Sequence, residues 1–303
     1  MNLLSFAQSN NEMVELIDNS KFEGKIYRIE DFSTKYIKPR NVDIWVPTNY
    51  SKEKKYSVLY MHDGQMLFDA TTTWNKQEWM VDDVLSKLSS ENEIDDVIVV
   101  AIWNIPAIRH ADLFPKKPLL QLTEEEQKLI FENAHKLGYQ FNLEDINSDN
   151  YLKFIVKEVK PFVDSNFSVF TDADHTAIMG SSMGGLISMY AICEYPKVFS
   201  KAACLSTHWI GFREFDNNPI PESFFKYMSA NLPDPKNHKI YFDYGTETLD
   251  ASYLKYAYRV DEILKEKGYT QQNSRNIKFE GENHSEASWQ KRIPIPLEFM
   301  FGK

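Results

Sequence analysis

The stretch that most constrains this chain is His175-Thr-Ala-Ile-Met-Gly180-Ser181-Ser182-Met183-Gly184-Gly185-Leu186. A short apolar strand enters Gly-x-Ser-x-Gly and leaves as an apolar helix that closes at Tyr195-Pro196. A strand that turns at once into a helix through a glycine-flanked serine has the form of a nucleophile elbow. The turn leaves no room for side chains at Gly180 or Gly184, and Ser182 projects alone above the sheet. The alternative is an ordinary glycine-rich strand-to-helix turn, so the motif counts only if the rest of the chain supplies its chemical partners.

Elsewhere the hydrophobic pattern alternates between strand and helix. Residues 24–31 and 35–46 run apolar-polar at period two, the pattern of an antiparallel edge hairpin. Tyr56–Met61, Val97–Trp103, Ala202–Ser206, Lys239–Tyr244 and Asn276–Glu280 are mostly apolar runs, as strands covered on both faces are. Helical spacing appears at 78–88, 150–164 and 257–267, and the chain closes on a helical 296–301. This order predicts an α/β fold: a mostly parallel, doubly wound sheet with an N-terminal antiparallel edge. No Pro/Gly/Ser-rich linker divides the 303 residues, so one domain over 23–303 is expected, after a flexible segment 1–22. Residues 106–150 break the pattern and read as an irregular, lid-like insertion, with Thr123 as N-cap of a short acidic helix.

A net charge of −10, spread along the chain, argues against nucleic acid or an anionic membrane surface as partner, since both call for clustered Lys and Arg. No apolar run is long enough to span a membrane. Cys193 and Cys204 each fall in an apolar element and read as buried hydrophobes. The start Met1–Gln8 lacks basic residues but resembles the end of an export segment. The expected compartment is the cytoplasm, or the periplasm or exterior if a signal lies upstream of a mis-assigned start; the oligomeric state is left open.

Serine needs a base in hydrogen-bond reach and a carboxylate to fix that base's tautomer. His284, just past the last strand, is the expected base. Glu247 and Asp250 both follow the strand ending at Gly245. Glu247 is the preferred acid because it is nearer the sheet edge, with Asp250 as the alternative or as a helix cap. Asp243, within the strand, reads as a residue that packs or bonds locally. The oxyanion hole would combine the Met183 N–H with one from Gln65 or Gly64 in His62-Asp-Gly-Gln65. His62 itself reads as structural. Trp103, Asn104, Arg109, His208 and Trp209 would reach the carboxyl edge of the sheet, where ligands bind, and are the expected substrate contacts, though the same residues suit core packing equally well. The seven histidines lack metal-site spacing, so no metal or other cofactor is called for.

Met61–Asp69, Gly180–Leu186, Tyr241–Glu247 and Glu282–Glu286 together resemble the "Putative esterase" family of α/β-hydrolases, in that family's order and over residues 25–301. The family takes in esterase D (S-formylglutathione hydrolase), enterochelin esterases and feruloyl esterases. The resemblance implies a serine carboxylesterase for a small-molecule ester (an acylated carbohydrate, feruloyl or siderophore ester), with Ser182 and His284 in the matching positions. Relatives often carry aspartate soon after the strand glycine, where this chain has Glu247, so the acid stays open between Glu247 and Asp250. A thioesterase and a non-catalytic ligand-binding module are the competing readings.

Overall fold

The apolar runs become the inner strands of one sheet. The computed structural model describes residues 11–16 and 21–303. In it β4 (Ser57–His62), β5 (Val97–Ile102) and β6 (Thr176–Ser181) are buried along their whole length. They join β1 (Val14–Leu16), β2 (Lys25–Ile29), β3 (Val42–Val46), β7 (Lys201–Leu205), β8 (Lys239–Gly245) and β9 (Ser274–Phe279) in the order β1-β2-β3-β5-β4-β6-β7-β8-β9. The pairs from β5 through β9 are parallel, and β1-β2-β3-β5 are antiparallel. This is the predicted α/β sheet with an antiparallel edge.

Helices cover both faces: α1 (Val81–Ser90), α2 (Arg109–Leu113), α3 (Lys116–Leu119), α4 (Glu124–Lys136), α5 (Ser148–Phe154), α6 (Lys160–Asn166), α7 (Met183–Glu194), α8 (Ile220–Asn231), α9 (Leu254–Glu266), α10 (Glu286–Arg292) and α11 (Pro294–Phe301). A π-helical turn at Ile155–Val159 joins α5 to α6. Because successive strand residues point to opposite faces, Val58 and Tyr60 enter one core with α5 to α9, while Leu59 and Met61 enter the other with α1, α10 and α11. Residues 183–193 of α7 are all buried, as a helix apolar on every side must be.

Four expectations change. Val14–Leu16, inside the segment set aside as flexible, pairs with β2 as the sheet's edge strand; the same expectation for residues 1–10 and 17–20 lies outside the described residues. Lys35–Asn41 stays out of β3. Trp79 and Met80 precede α1, because Met80 takes φ 52° and cannot continue a right-handed helix backwards. The insertion 106–150 is largely helical. It holds α2, α3 and α4, the last opened by a capping box in which Thr123 and Glu126 satisfy each other's backbone N–H. Its Ile130, Phe131 and Ala134 pack into the larger core.

Candidate active site

The elbow is built as its glycines require. A Cβ on Gly180 would lie 2.8 Å from the Gly184 carbonyl carbon, so β6 and α7 approach closely only without one. Gly184 is less constrained than its place in the motif implies: a Cβ there would meet His62 Cβ at 3.4 Å, an ordinary contact. Ser182 sits between the two elements at φ 57°, ψ −120°, a strained conformation for a non-glycine residue. It is pinned by its N–H to the Leu205 carbonyl (2.9 Å), while its carbonyl accepts from Leu186 and His208 N–H. Met183 opens α7, and the first N–H groups of a helix have no partner within it.

His284 reaches the same cleft from the loop after β9, and both Ser182 and His284 line a cavity of about 530 Å³. Its Nδ1 lies 2.5 Å from Asp250 Oδ1. A carboxylate only accepts, so Nδ1 carries the proton and Nε2 is left as the basic nitrogen. The preference for Glu247 is therefore corrected: Glu247 is exposed, and Asp250, fully buried, is the partner of His284. The reason is local. A 3₁₀ segment, Thr248–Tyr253, curls the chain back after β8 and carries Asp250 under the histidine loop. Gly245 makes this possible, since a Cβ there would stand 2.1 Å from the Glu282 carbonyl oxygen and 2.9 Å from Asp250 Oδ2. Burial pushes the Asp250 carboxyl up, but hydrogen bonds from His284, Ser206 (2.6 Å) and the Gly245 N–H (2.6 Å) outweigh it and hold the group below the usual range.

Asn104 and Arg109 line the cleft, and both also brace the loop after β4. Asp63, at φ 57°, receives two 2.7 Å bonds from the Arg109 guanidinium and one from Asn104 Nδ2. The Asn104 N–H donates to Gln65 Oε1 (3.1 Å). Gln65 thus stands at the cleft on a clamped loop, while Gly64 is buried beneath it, where a Cβ would strike the Ala101 backbone at 2.6 Å. His62 donates or accepts at Tyr151 OH (2.7 Å) and is pushed down to about 4 by burial, which keeps it neutral and structural at neutral pH.

Three expected substrate contacts lie elsewhere. Trp103 faces a separate cavity of about 260 Å³, its Nε1 on Asp43 and its ring under the Arg28 guanidinium at 4.5 Å. Trp209 is core, packed 4.8 Å from Phe225 and 5.8 Å from Phe242. His208 is buried behind the elbow with Nδ1 2.5 Å from Tyr253 OH, and burial depresses its pKa strongly. Strand ends in sequence locate the sheet edge, but the direction a side chain takes from there depends on loop packing.

The cleft is also walled by residues that pattern reading missed. Trp74, 84% exposed, lines it together with Asn75 and Gln77 in the loop between β4 and α1. Asn75 Nδ2 holds Glu286 (2.7 Å), and Gln77 Oε1 accepts from Ala287 N–H (3.1 Å), so this loop is tied to the first turn of α10. Trp79 packs on Trp289, whose ring meets His284 edge-on at 5.0 Å. The signal is an aromatic residue in a polar run, Thr71-Thr-Thr-Trp74-Asn-Lys-Gln77, in the connection between an inner strand and the first helix.

The family model described as "Putative esterase" matches residues 33–117 and 122–299. A curated relative, the uncharacterized protein YbbA of Bacillus subtilis (strain 168), is 23% identical over 272 residues, 87% of this chain and 93% of its own. Among solved structures, a ferulic acid esterase from Anaeromyces mucronatus in complex with ferulic acid superposes with a TM-score of 0.59 at 17% identity, over 93% of this chain and 95% of its own. An IroE-like serine hydrolase from Shewanella oneidensis does so with a TM-score of 0.62 at 19% identity, over 95% and 79%.

Proposed function

This chain belongs to the "Putative esterase" family, carboxylic ester hydrolases on an α/β-hydrolase fold, and we propose that it cleaves its ester through Ser182, His284 and Asp250. The observation that carries this is the meeting of Ser182 and His284 at one cleft, with His284 Nδ1 held on a buried carboxylate.

In this reading His284 Nε2 takes the Ser182 hydroxyl proton as Oγ adds to the ester carbonyl. Asp250 keeps the imidazole in the Nδ1–H tautomer and balances the imidazolium that forms. The charge on the carbonyl oxygen falls to the N–H groups of Met183 and Gln65, the latter on the loop that Arg109 and Asn104 brace. His284 then protonates the leaving alcohol. Water activated by the same histidine releases the acid from the acyl-enzyme.

The substrate class we favour is a small-molecule ester carrying a ring, of the hydroxycinnamoyl or siderophore kind. Two features support this: the exposed Trp74 indole at the cleft, and a fold neighbour that holds ferulic acid. Turnover of methyl ferulate and p-nitrophenyl acetate by Ser182→Ala and His284→Ala tests the assignment. Losses of about a thousandfold or more are expected, and near wild-type rates in either variant would remove it.

A further inference from the structure

Behind the acid lies a buried group that the esterase reaction as described leaves unused. Ser206, which follows β7 at φ 42°, places its Oγ 2.6 Å from Asp250 Oδ2. Two other groups reach the same oxygen: Trp289 Nε1 at 3.0 Å and Arg292 Nη2 at 2.7 Å. An indole N–H and a guanidinium can only donate, so both lone pairs of the Ser206 oxygen are taken and its one proton has a single acceptor, Asp250. Arg292, 2% exposed, spends the same Nη2 on Asp243 Oδ1 (2.9 Å) and stands 4.0 Å from Asp250 Oδ2.

We propose that Ser206, its hydroxyl aimed by Trp289 and Arg292, is a positioning residue that fixes the Asp250 carboxylate so that Oδ1 alone faces His284. The inference rests on the Ser182-His284-Asp250 reading. Oδ2 is occupied by the Ser206 hydroxyl and the Gly245 N–H. The carboxylate cannot rotate without breaking both bonds, and part of its charge is drawn away from the imidazole. Both aiming groups belong to α10, which begins two residues after His284, so one helix sets the tilt of the histidine through the Trp289 ring and the acid through Ser206. The other titratable or charged groups around this pair are Asp243 of β8, Arg292 of α10, and His208 and Tyr253.

The test is the pH profile of kcat/KM for Ser206→Ala, alone and in an Asp250→Asn background. Ser206→Gly serves as the second variant, because glycine adopts a φ of 42° without strain and so guards against a folding failure. With the hydroxyl gone, more of the carboxylate's charge faces the imidazolium. The acid limb should then move to higher pH by about half a unit or more, and kcat should fall roughly tenfold to a hundredfold with KM little changed. In Asp250→Asn the same substitution should cost almost nothing further, since its effect runs through that carboxylate. An unmoved acid limb in both single variants, or a full additional loss in the double variant, overturns the proposal. Ser182→Ala assayed alongside separates the two failures. Loss of activity there with no Ser206 effect rejects only this inference, whereas activity retained by Ser182→Ala rejects the triad and the inference with it.

Discussion

Asp250 and Glu247 separate what spacing can decide from what folding decides. Both carboxylates follow β8 within five residues, and distance along the chain favours Glu247. Which one meets His284 is set by the 3₁₀ curl and the bare Gly245, features that no periodicity reports. The expected kinetic signature is a large asymmetry. Asp250→Asn should lower kcat by about a thousandfold or more through loss of the tautomer lock, and Glu247→Gln, at an exposed site, should leave kcat/KM within about twofold. Comparable losses in the two variants would contradict the pairing. The same divide explains Trp103 and Trp209: composition marks aromatic residues at a sheet edge, but the Asp43–Arg28 pair claims one, and the Phe225 and Phe242 rings packed against the other claim it for the core. The placement of Ser182, His284 and Gln65 along one cleft was legible because elbow, last loop and first loop are tied to strand ends by the chain order itself.

Among the elements, the loop from β4 to α1 forms one wall of the cleft. Its tethers through Asn75 and Gln77 to α10 hold it in place, and Trp74 presents its ring with nothing covering most of it. Trp74→Ala should raise KM for methyl ferulate by roughly twofold to tenfold, the worth of one aromatic contact, and leave ethyl acetate hydrolysis unchanged. Equal changes on both esters would show that the loop, rather than the ring, was disturbed. Helix α1 makes a separate prediction. Asp82, 1% exposed, accepts the Glu23 N–H at 2.7 Å and so latches the entry to β2. Burial pushes its carboxyl up to about 7, against the opposing pull of that N–H. The folded value lies above the ~3.9 of a free aspartate, so the native state holds the proton more tightly. The associated stability is complete below about pH 4 and is lost as pH rises to about 7. Asp82→Asn cannot ionise, so its Tm relative to wild type should climb between pH 4 and 7 and level off above. A flat or falling difference in thermal melts would contradict this.

For the whole molecule, continuous apolar runs and the strand-helix alternation made the sheet and its parallel order readable, since burial on both faces leaves few other patterns open. What stayed hidden was polar or mixed: β1 has only three residues, α8 lies in a stretch with no clear period, and the helices of 106–150 are spaced by prolines that look like loop. The resulting architecture brings the ends of β4, β6 and β8 and the loop after β9 to one edge, so that residues far apart in the chain share a cleft. The most direct test of that convergence is covalent labelling by a fluorophosphonate, read by peptide mass spectrometry. One adduct on Ser182, not on the neighbouring Ser181, is predicted in the wild-type protein, with labelling slowed by about a thousandfold or more in His284→Ala. A folded, ester-cleaving protein that carries no adduct on Ser182, or carries it on another residue, would contradict the account.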